Sequence, residues 1–373
     1  MKVIVAIDSF KGCLTSTQAN LAAEEGVKSA CPAAEVVQLP VSDGGEGFLE
    51  ACCAALEEMN SENGKIKKER DIIENEGCFE EVTVNDPLMR PVRAKYLLQG
   101  RRAVIEIAQA SGLMLLKREE RNPMVATSYG TGQLVADAVR RGAKEIIVGL
   151  GGSATSDAGL GMLEALIDAF SDNGQWNGIK ELKEVRFTIA TDVRNPLCGP
   201  DGAACVFAPQ KGATPDQVLI LDERARVFAE RSARIFGYDR SVLPGAGAAG
   251  GLGYAFLQYL NAECRSGVEL LLEMYDFKEK VRDADLIITG EGSADRQTLM
   301  GKLPKGILEQ SGGVPVWLLA GRIKDKEALL GAGFSRVECI NAPGTPLAEA
   351  LRPEVAMEGI RRTIFGRFRE KGV

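Results

Sequence analysis

Acidic, basic and glycine residues bunch at five places in this chain, each just after a short apolar run. The bunches fall at residues 8–11, 43–47, 149–157, 192–211 and 290–302. In the last, Leu286, Ile287, Ile288 and Thr289 have the apolar, β-branched character of a buried strand, which is expected to stop at Gly290. Glu291, Asp295, Arg296, Gln297, Thr298 and Lys302 follow closely. Open α/β sheets bind ligands just past the carboxyl ends of their strands. Glycine lets backbone N–H groups approach a phosphate, and carboxylates at strand ends hold a divalent cation or accept a proton. Lys and Arg offset the charge of a phosphoryl group in transit. One such loop reads equally well as a solvated turn, but five together point to an enzyme acting on an anionic ligand. The 373 residues include no His. That excludes a Ser-His-Asp triad, a His base and His metal ligands, and leaves Asp, Glu, Lys, Cys or backbone dipoles to do the chemistry.

The elements that must position these loops alternate strand and helix. Residues 2–8 read as a strand. Thr15 to Gln18 form a capping box that opens a helix running to about Ala30, and residues 35–40 form a second strand before a helix to about Met59. Two strand–loop–helix units in succession suggest a parallel sheet. Residues 61–76 are charged and aperiodic, as in a connection. The pattern then changes to an antiparallel meander over residues 81–84, 92–98 and 103–107, punctuated by Asn85-Asp86-Pro87 and Gln99-Gly100. Strands at residues 145–149 and 185–191 and a long amphipathic helix at 215–236 follow. Buried strands in the style of the first two return at residues 286–289 and 314–320, and residues 348–368 form a covering helix. The expected organisation is a discontinuous α/β domain (residues 1–76 and 282–373) interrupted by a second α/β domain (residues 77–281) with mixed and antiparallel strands.

Composition narrows the function class. Hydrophobic residues make up 45% and charged residues 26%, as in an ordinary globular protein. A net charge of −7 disfavours nucleic acid and anionic membranes as partners. No apolar run has the length of a membrane span. The nine Cys lack C-x-x-C spacing and no secretory signal is evident, so free thiols in a cytoplasmic protein are expected. A Walker A loop is absent: Leu303 follows Gly301-Lys302, where Ser or Thr is required. Gly245, Gly247 and Gly250 spell G-x-G-x-x-G, but Pro244 sits where a strand should end. That segment therefore reads as close packing or a hinge rather than a dinucleotide fingerprint.

Taken in order, the loops resemble the type I glycerate kinase family. The stretches carrying the resemblance are Asp8-Ser9-Phe10-Lys11, the Asp43-Gly44-Gly45-Glu46-Gly47 loop, Thr127 to Gly132, Gly151 to Asp157, Thr191 to Leu197, Phe207 to Gly212, Pro244 to Gly253, and Thr289 to Gly292 with Asp295, Gln297, Gly301, Lys302 and Pro304. They span nearly the whole chain. The resemblance implies a flavodoxin-like parallel-sheet domain interrupted by a second α/β domain, and ATP-dependent phosphorylation of glycerate, most often to 2-phosphoglycerate. Kinases for related hydroxy acids and a non-catalytic glycerate or sugar-acid sensor are the alternatives. In this reading Asp192 is the general base and Lys11 lies at the catalytic centre. Ser9, Lys11, Asp295 and Arg296 face the substrate. Gly151, Gly152, Ser153, Lys211, Gly290, Gly292 and Lys302 face the nucleotide phosphates. Mg²⁺ is shared between ATP and one or two of Asp43, Glu291 and Asp295, a choice left open because all three share the strand-end position. The family often has Arg where this chain has Tyr129 and Ser293, and Arg296 is the candidate replacement for the missing guanidinium. Two alternatives stay open: Asp192 could instead cap its own turn, and Arg296 could be simply exposed. Oligomeric state is not legible.

Overall fold

The computed structural model describes residues 1–45, 47–62 and 78–370. Glu46, most of the charged connection and the expected boundary at residues 76 and 77 lie outside the described residues. Eleven strands occur among the described residues: β1 (Lys2–Ile7), β2 (Glu35–Gln38), β3 (Cys78–Asn85), β4 (Pro91–Gln99), β5 (Arg102–Glu106), β6 (Glu145–Gly149), β7 (Arg186–Ala190), β8 (Glu263–Arg265), β9 (Leu286–Ala294), β10 (Val316–Ile323) and β11 (Arg336–Cys339). They fall into two compact units. One comprises Met1–Asp43, Glu50–Gly64 and Gly267–Val373, and the other Gly44–Leu49 and Lys65–Ser266.

In the first unit the sheet order is β11-β10-β9-β1-β2 and every pairing is parallel. Counted within the unit, this is the flavodoxin order, whose connections reverse direction between β1 and β9 and leave a crevice at the carboxyl ends there. Helix Ser16–Ala30 starts as expected: the Thr15 hydroxyl oxygen accepts the Gln18 N–H at 3.2 Å, and the Thr15 N–H donates to Gln18 Oε1 at 3.0 Å. This helix and Pro353–Glu370 bury Val27, Ile360, Ile364 and Phe368 against β1, β9 and Trp317. They approach so closely that a Cβ on Gly26 would lie 3.0 Å from the Arg361 carbonyl oxygen.

One expectation fails here. The strand beginning at Leu286 does not stop at Gly290 but continues to Ala294, because β10 also runs on and pairs Ala320 with Glu291 and Arg322 with Ser293. Gly290 is needed for that sheet, since a Cβ there would meet the Leu319 carbonyl oxygen at 2.4 Å.

The second unit's sheet runs β3-β4-β5-β6-β7-β8. The expected meander gives the antiparallel pairs β3–β4 and β4–β5, and β5 to β8 pair in parallel. The segment starting at Pro244 leads into helix Ala248–Tyr259, which is broken by three successive left-handed residues, Ala249, Gly250 and Gly251. A Cβ on Gly250 would sit 1.9 Å from the Thr155 carbonyl oxygen, and one on Gly247 would sit 2.3 Å from that of Pro196. Of the two alternatives for this segment, close packing is what these glycines serve. No helix among the described residues is long and apolar enough to cross a membrane.

Candidate active-site residues

In the first unit a cavity of about 410 Å³ is lined by residues that follow or end β1, β2, β9 and β10. Asp8, just beyond β1, is buried and accepts the Ser9 N–H at 2.7 Å. Burial pushes its carboxyl up to about 8, with neighbouring Asp43 adding to the rise. The Ser9 N–H and Lys11 pull it down, and Glu291 raises it slightly. Glu291, which β9 carries into the wall, is held at both oxygens: Oε1 accepts the Thr298 hydroxyl at 2.6 Å and Oε2 the Lys302 ammonium at 3.0 Å. Lys11 is exposed, with Nζ 3.9 Å from Asp43 Oδ2. The Ser9 hydroxyl oxygen is buried without a hydrogen bond to any described residue.

Mg²⁺ can be tested against this donor set. Among the described residues, no group of three acid or thiol side chains makes a complete cage. Mg²⁺ usually takes only one or two carboxylates, with phosphates and water completing its shell. Asp8 and Asp43 are hard oxygen donors close enough to raise Asp8's proton affinity, and a bound cation would reverse that effect. The residues fit.

The structure separates other expected site residues from this wall. Asp295 caps the turn Arg296–Leu299, its Oδ1 accepting the Gln297 N–H at 2.8 Å. Arg296 is 75% exposed, with Nε 3.8 Å from Asp325 Oδ2. Neither lines the cavity. Gly290 and Gly292 belong to a strand rather than a glycine loop, and of the two only Gly292 lines the cavity. Asp8, singled out by its loop but given no role, and Arg322 and Asn341, not singled out, are all on the wall. Asp8 carried a signal, the same strand-end position that singled out Asp192. Arg322 carried none, because it arrives only through the extension of β10 past Ala320.

In the second unit the loop after β6 is shaped by contacts that demand glycine. A Cβ on Gly151 would lie 2.1 Å from Gly45 Cα, and Gly152 has φ +71°. The Gly151 N–H donates to the Gly44 carbonyl at 3.1 Å. Asp157 organises the far end, accepting the Ser128 N–H and hydroxyl, each at 2.8 Å, and the Gly161 N–H at 3.2 Å. Lys211 is expected beside a phosphate but lies buried beneath this loop. Its ammonium donates to Ser153 Oγ at 2.7 Å and to the Thr155 carbonyl at 2.6 Å. Desolvation pulls it down to about 7, and Asp157 opposes that fall. The Thr155 and Ser156 hydroxyls are buried without a partner among the described residues.

Asp192 follows β7, and the turn bond at that bend comes from its neighbour: Thr191 Oγ1 accepts the Val193 N–H at 3.2 Å. Burial raises the Cys264 thiol's pKa, and Arg194 and Asp192 act on it in opposite directions, which places both near that sulfur. Tyr129 donates its hydroxyl to Asp168 Oδ2 at 2.7 Å.

Known proteins resemble the chain over nearly its whole length. The sequence profile of the glycerate kinase family matches residues 3–179 and 172–365. The chain is 41% identical to a glycerate kinase of Bacillus subtilis (strain 168), over 97% of this chain and 96% of that protein. It is 37% identical to the glycerate 2-kinase of Escherichia coli (strain K12), over 87% of this chain and 86% of the other. A crystal structure described as a candidate glycerate kinase 2 from Salmonella typhimurium LT2 superposes with a TM-score of 0.79. It is 34% identical and covers 100% of this chain and 98% of its own. With a profile match and relatives of this identity along nearly its whole length, the chain belongs to the glycerate kinase family.

Proposed function

We propose that the protein transfers the γ-phosphoryl group of ATP to glycerate, giving 2-phosphoglycerate and ADP. The observation that carries this reading is the full-length family match, taken together with an acid and lysine cluster at the switch point of a flavodoxin-order sheet. Phosphoryl transfer asks little covalent chemistry of the protein; it needs positioned reactants and offset charge. The glycerate hydroxyl oxygen bonds to the γ-phosphorus as the bond to the ADP oxygen breaks, and Asp192 accepts the hydroxyl proton. Supporting that role, Asp192 directly follows β7, which holds its carboxylate at a strand end. Lys11, exposed at the cavity, attracts the substrate carboxylate. Lys302, already neutralising Glu291, offsets nucleotide charge. Lys211 holds the 151–157 loop from beneath, so that its backbone and hydroxyls present a fixed donor set. Mg²⁺, when bound by Asp8 and Asp43, would supply Lewis-acid charge to the phosphates. We place the protein in the cytoplasm, where ATP is supplied.

The test is a coupled ADP-release assay over glycerate and a panel of small hydroxy acids, with the product identified by phosphorus NMR. Turnover fastest with glycerate, and phosphate on the 2-hydroxyl, is expected. Faster turnover with another hydroxy acid would reassign the substrate, and ADP release with none would favour a sensor.

A further inference from the structure

The cavity of the first unit is lined by two kinds of residue. Asp8, Asp43, Glu291, Lys302 and Arg322 make one of them. The other is apolar: Ile340, just past β11, then Leu347 and Leu351. Ile340 is buried, but Leu347 is 73% exposed and Leu351 44% exposed. Large apolar side chains left open beside a charged wall mark a ligand surface. Glycerate carries a carboxylate and hydroxyls and no apolar group, so it has nothing to place against these leucines. Of the two reactants in the proposed reaction, only the nucleotide joins a flat, weakly polar ring to a chain of phosphates.

We propose that this cavity seats the nucleotide, with the base lying against Ile340, Leu347 and Leu351 and the phosphates on the side of Lys302 and Arg322. The inference rests on the reading that the protein uses ATP. Asn341 is the residue placed to choose the base. Its amide nitrogen donates to the Gly321 carbonyl at 2.7 Å, which fixes the amide and leaves Oδ1 as an acceptor. An acceptor suits the exocyclic amine of adenine and opposes the carbonyl of guanine. Discrimination follows because, with guanine in the seat, the Asn341 oxygen faces a carbonyl and is left without a donor.

The experiment is a direct titration with ADP carrying a fluorescent N-methylanthraniloyl group, on the wild type and on Leu347→Asp and Leu351→Asp. Both leucines are exposed, so the substitutions leave the core intact. The expected result is a rise in Kd of about tenfold or more in each variant, the effect of replacing an apolar contact by a charge. The ATP KM should rise with it, while the glycerate KM stays within about twofold. Asn341→Ala should narrow the preference for ATP over GTP. Unchanged nucleotide affinity in both leucine variants, or a glycerate KM that rises alone, overturns the proposal. A wild type that binds the probe but does not phosphorylate glycerate, with binding lost in the variants, would sink the kinase reading and uphold the nucleotide seat.

Discussion

Lys211→Met tests whether a buried ammonium holds the 151–157 loop. The wild-type lysine has an ordinary pKa of 10.5 and a folded pKa of about 7, because burial strips its water. Its folded pKa is depressed, so between these values the unfolded chain binds the proton and the folded chain does not. Stability therefore rises with pH across that window and is flat on either side. At about 1.4 kcal/mol per tenfold change in proton affinity, the charged group destabilises the fold by about 5 kcal/mol near pH 6 and by only about 1 kcal/mol near pH 10. Met removes this penalty. It also leaves Ser153 Oγ and the Thr155 carbonyl without their donor, at about 1–3 kcal/mol for each buried group. The two effects predict a crossover: Lys211→Met is the more stable protein near pH 6 and the less stable one near pH 10. The chain has two tryptophans, and Trp176 lies in the second unit and Trp317 in the first. A Trp317→Phe background therefore makes Trp176 fluorescence a reporter of the unit that holds Lys211. Urea titrations of both proteins from about pH 6 to pH 10 measure the gap, and pH effects common to both cancel. A stability gap that stays constant over that range would refute the reasoning.

Asp192→Asn should lower kcat by roughly 10²–10⁴ with nucleotide binding retained, as for loss of a general base; near-normal turnover in a folded variant moves the search to Asp8 and Asp43. Lys11→Ala should raise the glycerate KM about tenfold or more, a charge-assisted bond being typically ~1.5–3 kcal/mol, and Arg296→Ala should leave it within about twofold because that side chain points to Asp325. Steady-state kinetics on the pair would contradict the siting if the ranking reversed. Gly250→Ala puts a Cβ 1.9 Å from the Thr155 oxygen at φ +68° and should cost at least about 3 kcal/mol, or about 10 °C of Tm; calorimetry showing no loss would mean the loop yields freely. Excess chelator should abolish turnover and added Mg²⁺ restore it, and full activity under chelation would remove the cation from the reading.

Much of this protein is local and therefore readable along the chain. Apolar runs and turn residues located β1, the meander and β6, and the Thr15 and Gln18 pair marked a helix start, because each depends on neighbours a few residues away. The absence of His restricted the chemistry to carboxylates and lysines before any fold was considered, and the order of the polar loops carried the family. What the sequence could not determine depends on distant partners. Gly290 reads as a strand end, since glycine usually interrupts a β pattern; only the β10 backbone, which comes to within a Cβ's reach at Leu319, turns it into a sheet position and carries Glu291 into the cavity. Lys211 reads as a cation facing a nucleotide phosphate; its burial is decided by Ser153 and Thr155, 58 and 56 residues earlier in the chain. Arg296 reads as a replacement for a family arginine, while Arg322 reaches the wall through strand pairing. Spacing reports which groups are close along the backbone, but desolvation and pairing act through space, and the tertiary fold sets those.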